Sequence, residues 1–191
     1  MNTFFEQFKN YIAEETRILA ALSWESVEIL IDEIRDAAGA GQQIFIFGNG
    51  GSAANASHFA MELAKNASWP FGRIRVQSLN DNVPWMTAIA NDTTFDDVFY
   101  HPLKSLGSKG DLVIALSTSG KSPNVIRPVI WAKQYGLRTV CIVGGQINDL
   151  QLNSDYAVVV PSTDSSHIEN IQQIIVHMVI NALKGEETPH L

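Results

Sequence analysis

Four hydroxyls fall within six residues at Ser117-Thr118-Ser119-Gly120-Lys121-Ser122, just after the apolar run Leu112-Val113-Ile114-Ala115-Leu116. A related turn, Gly48-Asn49-Gly50-Gly51-Ser52, follows Ile44-Phe45-Ile46-Phe47. Both stand where a strand gives way to a helix. There, backbone N–H groups, hydroxyls and helix N-termini hold an anion without a cluster of bases, which points to a phosphorylated small molecule. Capping accounts for one hydroxyl, Ser122 ahead of Pro123, and not for four. The glycine turn taken alone is equally well explained as a tight connection.

His58 and Glu62 lie four apart, on one helix face, among Ala54, Ala56, Phe59, Ala60, Met61 and Leu63. Burial in such company is the setting in which acid/base catalysts and metal ligands are often found. A structural hydrogen bond or a solvated ion pair fits the same spacing. Glu169, Gln173 and His177 repeat at intervals of four inside a run rich in Ile and Val, a polar stripe on an otherwise apolar helix. Asn91-Asp92, after Ala88-Ile89-Ala90, either meets sugar hydroxyls or caps the next helix. His101, His167 and His190 have no partner visible in the sequence.

The elements that position these residues follow from hydrophobic period. Strands are expected at 43 to 47, 74 to 79, 112 to 116, 138 to 143 and 156 to 160. Helices are expected at 52 to 66, 95 to 106, 122 to 135, 146 to 152 and 166 to 184, and the interval from 80 to 94 receives no element. Strands and helices in alternation describe a five-stranded parallel sheet of the α/β class. Two amphipathic helices precede it, over 3 to 21 and from Ser23 or Ser26 to the Gly39 and Gly41 region. Their apolar surface exceeds what one sheet face needs, so part of it meets another subunit or the pair caps its own core. Residues 185 to 191 read as a frayed end.

A chain of 191 residues, 46% hydrophobic and 17% charged, suits one domain with a sizeable core. Its net charge of -7 argues against a nucleic-acid partner held by a general basic field, so a phosphate site must be local. The single cysteine, Cys141, rules out an intramolecular disulfide and favours a reducing compartment. The first twenty residues interleave charges with apolar positions, unlike a signal peptide or a membrane span, which gives a cytoplasmic reading without a membrane partner.

Gly48-Asn49-Gly50-Gly51-Ser52-Ala53-Ala54, His58-Phe59-Ala60-Met61-Glu62-Leu63, Ala90-Asn91-Asp92, Gly110-Asp111-Leu112 and Ser117 to Asn124 together resemble the phosphoheptose isomerases of the sugar isomerase (SIS) domain superfamily. Val160-Pro161-Ser162-Thr163-Asp164 and the final helix extend the likeness over nearly the whole chain. It implies a flavodoxin-like three-layer sandwich over 1–191 as one SIS domain, with 1–41 a helical extension used in assembly. It also implies a homotetramer with active sites at subunit interfaces and a phosphorylated seven-carbon sugar as substrate. Glu62 and His177 match the family's acid/base pair. Asn49, Gly50, Gly51, Ser52, Asn91, Asp92, Ser117, Thr118, Ser119, Ser122 and Glu169 are the implied substrate contacts.

Some members of the family bind zinc, and the matching positions are His58, Glu62, Glu169 and His177; no organic cofactor is implied. Three departures stand out: Glu169 for the family's usual Gln, Asn66 where relatives often carry Arg, and Lys121 where many have Asn. The implied reaction is the isomerisation of sedoheptulose 7-phosphate to the aldose through a cis-enediol. A non-catalytic adaptor of the same fold, of the kind that binds a bacterial replication initiator, is the rival reading. Isomerisation of a different ketose phosphate is another. The adaptor pattern lacks the pair that Glu62 and His177 preserve here.

Overall fold

Side chains alternate between the two faces of a strand, so each apolar run must supply two hydrophobic layers at once. The computed structural model, which describes residues 3–65, 69–145 and 147–185, meets this demand with five parallel strands. They are β1 (Gln43–Gly48), β2 (Arg75–Ser78), β3 (Leu112–Ser117), β4 (Arg138–Gly144) and β5 (Tyr156–Val160), in the order β2-β1-β3-β4-β5. Ile44, Ile46, Leu112, Ile114, Leu116, Val140 and Ile142 face one core. Their neighbours Phe45, Phe47, Val113, Ala115, Cys141 and Val143 face the other.

Helices α1 (Thr3–Ala20) and α2 (Trp24–Gly39) precede β1, and α3 (Gly50–Ala64) comes after it. After β2 come α4 (Val83–Asp92), a short 3-10 turn (Phe95–Asp97) and α5 (Tyr100–Leu106). Next are α6 (Pro123–Tyr135), α7 (Asp149–Asn153) and α8 (Ser165–Lys184). Helices α2, α3 and α8 cover the first core, and α4 to α7 the second. All five expected strands are present. Helix α4 occupies part of the interval that received no element; Asn82 caps it by accepting from Trp85 N–H, and Pro84 stands in its first turn. The single helix expected over 95 to 106 is instead a 3-10 turn and α5, because Pro102 has no N–H to carry a continuous ladder across Val98. Gln146, at the start of the helix expected over 146 to 152, and residues 186 to 191 lie outside the described residues.

The N-terminal helices divide their roles. Val27, Leu30, Ile34, Ala37 and Ala38 of α2 are buried in the first core, so this helix does cap the sheet. Phe4, Phe5, Phe8 and Ile12 of α1 are each more than half exposed, and among the described residues of that helix only Ile18 is fully buried. A polar contact joins α1 to α8: His167 Nδ1 lies 2.6 Å from Glu15 Oε1, with the Tyr11 ring stacked on the imidazole at 4.3 Å. Asn170 Nδ2 donates to Tyr11 Oη at 2.7 Å and to Glu15 Oε1 at 3.0 Å. His167, solitary in the sequence, therefore has its partner 152 residues away.

Asp111 ties β1 to the turn before β3: one carboxylate oxygen accepts from Gln43 N–H at 2.9 Å and the other from Ser108 N–H at 2.8 Å. Leaving both N–H groups unmatched costs about 1–3 kcal/mol apiece where they cannot reach water. Asp111→Ala is expected to lower the free energy of urea unfolding by about 2 kcal/mol or more while the far-ultraviolet circular dichroism stays native. A loss of a few tenths would show that the tie does not matter.

Candidate active site

The chain runs from β1 to β2 on one side and returns to place β3 on the other, so the carboxyl ends of β1 and β3 flank the crevice where doubly wound folds take ligands. The two turns singled out in the sequence meet here. Asn49 Nδ2 donates to Asn124 Oδ1 and Asn124 Nδ2 donates to Asn49 Oδ1, both at 2.8 Å, which locks the start of α3 to the start of α6. Ser52 Oγ donates to Gln172 Oε1 at 3.0 Å, in full burial. The side chains of Asn49 and Ser52 are thus committed to holding the loops. Glu169 lies against the backbone of Gly51, where a Cβ would run into its carboxylate.

The hydroxyl loop keeps more of its groups available. Ser117 Oγ accepts from Gly120 N–H at 3.0 Å and Ser119 Oγ from Lys121 N–H at 3.2 Å, so each hydroxyl can still donate its own proton. Gly120 adopts φ +64° with the Asn148 side chain packed where a Cβ would stand. Ser122 is the N-cap residue of α6, as expected, but its side chain makes no capping bond. Thr118, Ser119 and Lys121 line a cavity of about 180 Å³ with Gly144, Gly145, Ser162 and Thr163. A larger cavity of about 550 Å³ shares Gly145, Ser162 and Thr163 with it and extends to Arg17 and His167.

A second cluster forms elsewhere, towards the far ends of α3 and α8. Glu62 is buried, His58 Nε2 stands 3.8 Å from its Oε1, and the His58 and His177 rings meet edge to face at 5.1 Å. That 3.8 Å is too long for a hydrogen bond, and the buried His58 Nε2 has no hydrogen-bond partner among the described residues. Lys65 Nζ, by contrast, donates to Glu62 Oε1 at 2.6 Å. This hydrogen bond, reinforced by the lysine's charge, holds the Glu62 carboxyl below the usual carboxylate range against the opposing effect of burial. The Glu62-x-x-Lys65 spacing is a readable ion-pair signal, though it does not disclose that the acid is buried.

The two clusters are far apart in one chain. From Gly50 to Glu62, and from Ser165 to His177, there are twelve residues, roughly 18 Å at about 1.5 Å per residue. Ala56, Gln172 and Val176, all buried, fill the seam between them. One chain does not bring His58, Glu62, Glu169 and His177 together: Glu169 precedes His177 by eight residues, roughly 12 Å along α8. It lies over Gly51 and not beside His58 and Glu62. Among the described residues no three His, Cys, Asp or Glu side chains converge closely enough to hold one ion, so the donors do not fit a zinc ion within one chain.

Asn91 and Asp92 do not take the capping role. They form the exposed last turn of α4, where Asn91 Nδ2 donates to Asp92 Oδ1 at 2.8 Å. They cap neither the 3-10 turn nor α5, since Thr94 caps the former and Phe99 precedes the latter. Asn66 lies outside the described residues, as does His190. His101 Nε2 is 3.9 Å from Asp97 Oδ2. Gln172 and Asn55, not singled out in the sequence, belong to the loop framework: Asn55 Nδ2 donates to Glu169 O at 2.9 Å, and Gln172 Nε2 to Ile142 O at 3.3 Å. Cys141 is buried and its thiol is pushed up to about 11, which makes it unreactive at neutral pH.

Residues 7–144 match the model of the SIS domain family. A probable phosphoheptose isomerase from Thermoplasma acidophilum is 34% identical over 90% of this chain and 94% of its own length. A phosphoheptose isomerase from Helicobacter pylori is 32% identical over 94% of this chain and 92% of its own. Among solved structures, the phosphoheptose isomerase of Neisseria gonorrhoeae superposes with a TM-score of 0.88 at 26% identity, over 95% of this chain and 98% of that one.

Because the folded-state pKa of Glu62 lies below its unfolded value, the stability its ionised form contributes is present above the unfolded pKa. That contribution is lost as pH falls through the folded value. A carbon-13 NMR titration of the Glu62 carboxyl is expected to read below the ordinary glutamate value of about 4.3, and Lys65→Met to move it upward. The same value in both proteins would mean that the ion pair is not kept in solution.

Proposed function

The chain belongs to the SIS domain family, and from that premise we propose that it is a phosphoheptose isomerase, interconverting sedoheptulose 7-phosphate and D-glycero-D-manno-heptose 7-phosphate. The observation that carries this reading is the meeting of Glu62, His58 and His177 on facing turns of α3 and α8, a buried carboxylate with two imidazoles. Moving a proton between adjacent carbons needs one base on carbon and one group that relays protons between the two oxygens. Glu62, ionised at neutral pH, takes the C1 proton of the open-chain ketose. The electron pair forms the C1–C2 double bond of a cis-enediol, and His177 carries the hydroxyl and carbonyl protons between O1 and O2. Return of the proton to C2 gives the aldose. No organic cofactor is needed.

The phosphate is read as resting in the cavity of Thr118, Ser119 and Lys121, with Ser117 and Ser122 and the N–H groups at Gly50 and Gly51 nearby. An extended heptose phosphate measures about 10 Å from C1 to phosphorus, taking ordinary single-bond lengths near 1.5 Å. The two clusters of one chain are separated by nearly twice that distance, which favours a site built from two subunits. In this arrangement the hydroxyl loop of one faces Glu62 and His177 of the other. The exposed Phe4, Phe5, Phe8 and Ile12, together with exposed Met61 and Met178 beside the acid/base pair, supply apolar surface for that contact. We read the chain as one SIS domain over 1–191 that forms a homotetramer, with 1–41 used in assembly. Its sugar-phosphate substrate and single cysteine suit the cytoplasm.

Glu62→Gln is expected to retain the fold and assembly while turnover falls by about 10²-fold or more; near-wild-type turnover at saturating substrate would remove Glu62 from its role. The shared site makes a second, sharper prediction. Glu62→Gln and a hydroxyl-loop variant, Ser119→Ala with Lys121→Ala, should each be inactive or weak. Unfolding and reassembling them together should restore roughly a quarter of the wild-type activity at random assortment. No recovery in mixed oligomers verified by mass would mean that each chain carries its own complete site.

A further inference from the structure

Glu62 pairs with Lys65 in a setting unlike that of the chain's other ion pairs at the same spacing. Glu6–Lys9, Glu14–Arg17 and Asp32–Arg35 have carboxylate side chains 39–70% exposed, as expected of solvated contacts that contribute little. The Glu62 side chain is 10% exposed, and a half-exposed lysine reaches inward to it. Lys65 Nζ at 2.6 Å and His58 Nε2 at 3.8 Å both address Oε1. Among the described residues no hydrogen bond or ion pair is made to Oε2, which leaves that oxygen for the substrate.

We propose that Lys65 is a catalytic residue whose ammonium pairs with the enediolate oxygen formed when Glu62 takes the carbon-bound proton; this rests on the reading of Glu62 as the base. The C1–H bond breaks and its proton goes to Glu62 Oε2. The bonding pair becomes the C1–C2 π bond, and the carbonyl π pair moves onto O2 as an alkoxide. Negative charge therefore leaves the carboxylate and appears on the sugar in one step. The ammonium, balanced by Glu62 beforehand, loses that partner as the new oxyanion forms beside it. Its flexible four-carbon stem, anchored at the end of α3, lets it follow the charge. The pairing is made in the transition state and not in the ground state, so it accelerates the step and does not merely tighten binding.

The test uses the assembled full-length enzyme with Lys65→Met, Lys65→Gln, Lys65→Arg and Glu62→Gln. Two probes are measured by calorimetry: the hydroxamate of a phosphorylated aldonic acid, a planar anion shaped like the enediolate, and the matching phosphorylated alditol, which has no carbonyl. For Lys65→Met and Lys65→Gln, kcat is expected to fall about 10- to 100-fold with KM within about twofold, the worth of one charge-assisted contact. Hydroxamate affinity should drop at least tenfold while alditol affinity holds, and Lys65→Arg should recover much of both. If kcat stays within about threefold while Glu62→Gln is inactive, or if both probes weaken equally, the assignment of Lys65 is overturned and the Glu62 reading stands. If Glu62→Gln itself turns over normally, the reading on which the proposal rests is overturned.

Discussion

Parallel strands oblige each connecting helix to start at one edge of the sheet and run away from it, and this single constraint shapes the whole molecule. It brings the starts of α3, α6 and α8 together with the hydroxyl loop and the glycine turn; Asp164 caps α8, while α3 and α6 have no side-chain cap. It also carries Glu62 and His177 to the other end of the layer, because each stands twelve residues into its helix. The two clusters are thereby separated in one chain by the length of the helices that bear both.

The seam between α3 and α8 is what keeps that geometry rigid. Gln172, fully buried, joins Ser52 of α3 to the backbone of β4, while Asn55 reaches across to Glu169 O and Gln172 Oε1. Buried polar groups satisfied in this way fix one register between two helices that apolar contact alone would leave free to slide. The same register sets His58 against His177 further along the seam. Gly51 lets the helices come this close, since any side chain there would displace Glu169.

Charge is distributed with similar economy. The chain is acidic overall, yet single lysines stand at both clusters, Lys121 at the hydroxyl-loop cavity and Lys65 at Glu62. Local dipoles and one cation suffice where the anion is a single phosphate, so no general basic field is required. The apolar face of α1 stays uncovered in the single chain even though the His167–Glu15 contact holds its second half firmly.

Local rules sufficed for the strands, the turns and the N-cap at Ser122, because period-two alternation, glycine and proline act within a few residues of themselves. The likeness of spaced motifs identified the family, since the order of several short segments is itself information. Other features depended on distances that only the folded chain defines. Helix α4 was hidden because Val83 to Ala90 lacks a clear polar face, and the Asn49–Asn124 pair joins residues 75 apart. Glu169 and His177 share a stripe by spacing, but a helix rises about 1.5 Å per residue, so eight residues put them at different ends of the layer. The sequence by itself determined which chemical groups are present and which elements carry them; the tertiary structure decided which groups meet, because meeting depends on helix length and on packing between elements remote along the chain.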